Sequence, residues 1–90
     1  MLRLHAIVSG RVQGVFFRDF VREQSERLQV TGWVRNLPDA TVEVLAEGVE
    51  SAISCLVRML EIGSPYSHVD EVRASYGVAS GEFTAFRVRL

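Results

Sequence analysis

Gly10-Arg11-Val12-Gln13-Gly14-Val15-Phe16-Phe17-Arg18 stands between an apolar run, Leu4 to Val8, and a stretch of helical spacing, Asp19 to Leu28. A strand, a glycine-containing loop and a helix start, in that order, set the frame for the rest of the chain. Only glycine enters left-handed backbone regions at little steric cost, so Gly10 and Gly14 bracket a turning segment. The first N–H groups of a helix have no internal partners and carry partial positive charge, which makes the junction a candidate anion site. Arg18 there opposes the helix dipole by about 0.3–1 kcal/mol. An anion between the guanidinium and the amides accounts for it. So does a side chain that points into water or pairs with Asp19.

Working outward, residues 2–9 alternate, with Leu4, Ala6 and Val8 on one side and Arg3, His5, Ile7 and Ser9 on the other, as a half-buried strand does. The spacing predicts a helix over 18–29 with Phe17, Phe20, Val21 and Leu28 on its apolar face and a Glu23–Arg27 pair on the other. Trp33 to Leu37 reads as a strand, Leu37-Pro38-Asp39-Ala40 as a turn, and Thr41 to Glu47 as the returning strand of a hairpin. Residues 49–62 carry Val49, Ala52, Ile53, Leu56, Val57 and Leu60 at helical spacing, flanked by Cys55, Met59 and Ile62. Gly63 and Pro65 stop that helix. A strand over 69–76, a loop over 77–81 and a last strand over 83–89 complete the order. The class is α+β: a split βαβ sandwich, βαββαβ plus a short C-terminal strand, with two helices on one face of a mainly antiparallel sheet.

Ninety residues suffice for one small domain, residues 1–90, with a core that needs no staples. The net charge of −1 gives no basic field for nucleic acid. All ten basic residues are arginine, the better fork for phosphate and carboxylate. Cys55 is the single cysteine, and there is neither a signal segment nor a long apolar run, so a cytoplasmic protein with no membrane association is expected. No His/Cys cluster has metal-ligand spacing.

In a split βαβ sheet the loop after the first strand and the end of the second approach the same edge. Asn36 lies at that end, on the face of Val34. Its amide both donates and accepts hydrogen bonds, which suits a water or a substrate carbonyl; a turn-capping role beside Pro38 is the alternative.

The stretch Gly10 to Arg18 resembles the first signature of acylphosphatases. Gly32-Trp33-Val34-Arg35-Asn36-Leu37-Pro38-Asp39, followed by Val42-Glu43 and Gly48, resembles the second. Gly63-Ser64-Pro65 and Phe86-Arg87-Val88 are similar to the family's later landmarks, so the likeness runs through essentially the whole chain. The resemblance implies a ferredoxin-like sandwich that hydrolyses acyl phosphates to a carboxylate and inorganic phosphate without metal or cofactor. It puts the catalytic pair on Arg18 and Asn36. The phosphate-cradling loop falls on Arg11, Val12, Gln13, Gly14, Val15, Phe16 and Phe17, mainly through backbone amides. Arg18 would hold phosphate by a bidentate fork and meet the charge that develops on the leaving acyl oxygen. Asn36 would hold the water in line, and the substrate's own phosphate would take its proton, since the amide does not titrate usefully. The partners implied are a small-molecule acyl phosphate and inorganic phosphate as product or inhibitor, acting on a monomer.

One departure is Ala40, where the family usually has glycine. Alanine at a positive φ is strained by about 1–2 kcal/mol, unless the turn takes another type or Asp39 occupies the left-handed position. Gln13 either touches the ligand or shapes the loop. His5 and His68 read as surface or hydrogen-bonded histidines, Cys55 as a small hydrophobe, and Trp33 and the phenylalanines as core. The rival functions are a non-catalytic module that binds phosphate, a phosphorylated ligand or RNA, and a domain of larger carbamoyl-transfer proteins. RNA is disfavoured by the near-neutral charge and the lack of aromatics alternating on one sheet face. The carbamoyl-transfer domain is disfavoured by a chain that starts at Met1 and ends after one domain.

Overall fold

The computed structural model describes residues 1–90. Its elements are β1 (Leu2–Arg11), α1 (Phe17–Arg27), β2 (Thr31–Asn36), β3 (Val42–Gly48), α2 (Glu50–Ile62), β4 (His68–Val78) and β5 (Phe86–Arg89). The sheet order is β4-β1-β3-β2-β5. All pairings are antiparallel except β2 with β5, which run parallel. This is the expected ferredoxin-like arrangement, with the C-terminal strand added beside β2.

Alternation sorts the strands. Leu4, Ala6, Val8, Val34, Val42, Val44 and Ala46 are fully buried under the helices. Phe17 and Val21 of α1 and Ile53, Leu56 and Leu60 of α2 close over them. Each of the valine, leucine, isoleucine and phenylalanine side chains contributes about 1.5–3 kcal/mol on burial. No helix is long and apolar enough to cross a membrane.

Several boundaries differ from the sequence-based expectation. Helix α1 ends at Arg27, before position 29, because Gln29 takes φ 58 and the Val30 N–H turns back to the Ser25 carbonyl at 2.8 Å. Strand β1 runs on to Arg11 through a bulge at Ser9/Gly10. Gly10 has φ 122, and a Cβ there would collide with the His68 carbonyl, so the bulge depends on glycine. The extension of β1 brings His68 into β4 opposite Arg11, and at the other end the Leu2–Val78 and Arg3–Gly77 pairs hold Gly77 and Val78 in the strand and out of the expected loop.

Strand β5 is shorter than the expected 83–89, because the segment before it is held elsewhere. The Glu47 carboxylate, 2% exposed, accepts the N–H groups of Ser80 at 2.8 Å and Gly81 at 3.0 Å, the Ser80 hydroxyl at 3.0 Å and Arg3 Nε at 2.7 Å.

Some core assignments also change. Trp33 is half-buried on the sheet face that carries no helix, covered by the guanidinium groups of Arg89 at 4.7 Å and Arg35 at 5.2 Å from the ring centroid. Phe16, Val49, Cys55 and Ile62 are exposed. The helix stripe turns away from Cys55 and Ile62, and Val49 is the N-cap of α2. His5 does form a hydrogen bond, at 2.7 Å to Glu43. Arg35 reaches the same carboxylate at 2.6 Å. Burial alone would raise the Glu43 carboxyl, but these two bonds outweigh it and hold it below its ordinary value.

The hairpin turn resolves the Ala40 question differently from either alternative. Ala40 itself takes φ 73, with its N–H on the Leu37 carbonyl at 3.2 Å, and the Leu37 N–H bonds the Thr41 carbonyl at 2.9 Å. Asp39 accepts the Thr41 hydroxyl and the Thr41 N–H, which braces the strained residue and holds the Asp39 carboxyl below its ordinary value.

Candidate active site

The β1–α1 loop meets the end of β2 at one edge of the sheet. Gly14 turns the loop at φ 72 with open space around it. Phe16 follows as the N-cap of α1 in the left-handed region, φ 60 and ψ 24, with no side-chain cap. Its carbonyl receives the first helical bond, from the Phe20 N–H at 3.0 Å. The N–H groups of Phe17, Arg18 and Asp19 therefore have no helical partner. A bulky residue held left-handed is a backbone outlier of the kind found at ligand-binding turns.

A cavity of about 560 Å³ opens at this junction. Val12, Gly14 and Phe16 line it from the loop, and Phe17, Arg18, Asp19 and Arg22 from α1. Asn36 at the end of β2 and Val88 on β5 complete the wall. Arg18 is half-buried, and its Nη1 donates to the Arg89 carbonyl at 3.3 Å. That contact, and not the alternative pairing with Asp19, is the one it makes. Asp19 instead accepts Arg22 Nη2 at 2.9 Å, and Arg22 Nη1 reaches Glu26 at 2.8 Å. The two carboxylates raise the Arg22 pKa above its ordinary value. Asn36 Oδ1 is buried with no protein hydrogen-bond partner. A buried acceptor without a partner costs about 1–3 kcal/mol, so its position invites a donor from a bound molecule.

The remaining loop residues stand outside the cavity. Gln13 Nε2 donates to the Leu37 and Thr41 carbonyls, both at 2.8 Å, so of its two readings it takes the loop-shaping one and ties the loop to the hairpin that carries Asn36. Val15 packs on the core. Arg11 is exposed at the end of β1, opposite His68 of β4. No group of three or more His, Cys, Asp or Glu side chains is close enough to hold a metal ion. Asp19 is the one carboxylate in the cavity wall, and Arg22 engages it. The arrangement is built for anion binding and for orienting a neutral hydrogen-bonding partner; it offers no free base.

The acylphosphatase family model matches residues 4–88. The chain belongs to the acylphosphatase family. The acylphosphatase of Rubrobacter xylanophilus is 52% identical over 87 residues, 97% of this chain and 79% of that one. The acylphosphatase of Thiobacillus denitrificans is 44% identical over 89 residues, 99% of this chain and 98% of that one. The crystal structure of acylphosphatase from Bacillus subtilis superposes with a TM-score of 0.96 at 38% identity, covering 100% of both chains. Family membership makes this chain a hydrolase acting on acyl phosphates.

Three parts of this acylphosphatase cavity have no counterpart in the sequence reasoning. The Asp19–Arg22 wall could have been found from the i,i+3 spacing of opposite charges at a helix start. Val88 could have been found from the alternation of β5. The Arg89 carbonyl carries no sequence signal, because every residue has one.

Proposed function

We propose that residues 1–90 act as one metal-independent acylphosphatase domain with Arg18 and Asn36 as its catalytic residues. The observation that carries the reading is their convergence on one cavity, with the Asn36 acceptor buried and unpartnered. Arg18 binds two phosphate oxygens through its guanidinium, and the N–H groups of the loop and the α1 start take the others, which makes 11–17 the phosphate-binding loop. Asn36 Oδ1 accepts a hydrogen from the attacking water and aims its oxygen at phosphorus. The new P–O bond forms as the bond from phosphorus to the acyl oxygen breaks. The carboxylate leaves with the electron pair, and the water's proton passes to a phosphate oxygen. Arg18 meets the charge that builds on the leaving oxygen. A carboxylate is a good leaving group, so positioning and electrostatics suffice. The protein works as a cytoplasmic monomer on a small-molecule substrate, with inorganic phosphate as product and competitive inhibitor.

The test is benzoyl phosphate hydrolysis with EDTA present. Wild-type turnover should be unaffected by the chelator. Arg18→Ala should lose at least about a thousandfold in kcat and bind inorganic phosphate more weakly. Asn36→Ala should lose about a hundredfold in kcat with phosphate inhibition nearly unchanged. Unchanged turnover in Arg18→Ala removes that residue from the mechanism. If phosphate inhibition falls together with kcat in Asn36→Ala, Asn36 is a phosphate or loop-shaping residue and does not aim the water.

A further inference from the structure

The other side of β5 carries a second groove, of about 220 Å³, on the sheet face that no helix covers. Trp33, Phe83 and Ala85 give it apolar walls, and Arg87 and Arg89 stand along one side. These arginines are two positions apart on one strand, so they share a face at a spacing of about 6.6 Å. Glu82 also lines the groove, and it and the neighbouring Glu43 are each engaged by an arginine from outside the pair. Glu82 takes Arg3 Nη2 at 2.9 Å, and Glu43 takes Arg35 Nε at 2.6 Å. Neither Arg87 nor Arg89 has an ion pair. The Arg89 guanidinium rests 4.7 Å from the Trp33 ring centroid, a cation–π contact that holds it in place with its N–H groups free.

We infer that the groove between Trp33, Phe83 and the Arg87–Arg89 pair is a second binding site, for a small organic phosphate. Two like charges held side by side repel each other, and a dianion between them turns that repulsion into charge-assisted hydrogen bonds. The apolar walls take a body of about one ring, since the volume falls below the range of larger ligand pockets. The site is separate from the catalytic cavity. Val88 faces the cavity and Arg87 and Arg89 face the groove, so β5 is the wall between them.

Trp33 is the only tryptophan, so its fluorescence reports on this groove directly. The probe is phenylphosphonate, in which a C–P bond replaces the hydrolysable P–O bond. It is titrated into wild type, into Arg18→Ala and Arg18→Lys, and into the double variant Arg87→Gln/Arg89→Gln, each checked for native circular dichroism. The expected result is a saturable emission change in wild type, kept within about threefold in both Arg18 variants and weakened at least tenfold in the double variant. A change lost in the Arg18 variants places the ligand in the catalytic cavity and overturns the inference. An undiminished change in the double variant, or a flat titration in wild type, overturns it as well. Circular dichroism that departs from native in the double variant moves the comparison to Arg87→Gln alone, where at least threefold weakening is required.

Discussion

Replacing Glu47 by glutamine should make the protein less stable at neutral pH and also less sensitive to acid. Glu47 is buried under the segment that leads into β5, and burial by itself would raise its carboxyl. The Ser80 N–H, Arg3, the Gly81 N–H and the Ser80 hydroxyl outweigh that effect and bring it down from 4.5 to about 2. The folded state therefore releases this proton more readily than the unfolded state does. The stabilisation is complete above pH about 4.5 and is lost as the pH falls through about 2. At about 1.4 kcal/mol per pH unit, the gap corresponds to about 3 kcal/mol. In a domain of this size 1 kcal/mol moves Tm by about 4–8 °C, so Glu47→Gln should lower Tm at pH 7 by about 10 °C or more. Glutamine keeps one acceptor oxygen, but it sets an NH2 group against donors that were all facing a carboxylate. The assay is thermal unfolding of both proteins at a series of pH values from 7 to 2. Other carboxyls titrate equally in both, so the difference curve isolates Glu47. The difference should shrink below about 1 kcal/mol near pH 2. A Tm within 2 °C of wild type at pH 7, or a difference that does not change with pH, refutes the reasoning.

Two other substitutions test local features. Ala40→Gly relieves a left-handed alanine at φ 73. Against glycine's greater chain entropy, it should still stabilise by about 0.5–1 kcal/mol in urea unfolding, and a destabilisation would mean that the turn carries no strain. Ser25→Ala removes a fully buried hydroxyl with no hydrogen-bond partner and improves helix propensity. It should stabilise by about 1 kcal/mol, whereas a loss of stability would show that the hydroxyl is satisfied in solution.

The parts of the fold that could be read in advance are those governed by one period. Leu4, Ala6 and Val8 against Val42, Val44 and Ala46 show a period of 2, and Ile53, Leu56 and Leu60 show the helical one. Both assignments hold because each element buries one face. Tertiary partners decide the rest. Trp33 reads as core by residue type, yet its strand parity turns it to the open face, where arginines cover it. Ser25 occupies a buried position that composition gives no reason to expect. Within the site, the loop–helix junction and the end of β2 were legible because strand order brings them to one edge. The contributions of β5 were not, because they depend on a parallel pairing with β2 and on the hold of Glu47 over residues 80–81.

The sheet order also bears on how quickly the molecule forms. Strand β1 sits between two partners that are both distant in sequence, with Leu2 opposite Gly48 on one side and Val78 on the other. The β2–β3 hairpin is the one strand pairing closed by a short connection. Loops of dozens of residues must close before the central pairings offset their entropy, which is the topology of slow folders. Refolding should therefore fall in the millisecond-to-second range rather than the microsecond range of helical bundles. Because the cavity draws on β1–α1, β2 and β5 together, recovery of activity should follow completion of the whole sheet and not the local formation of either helix.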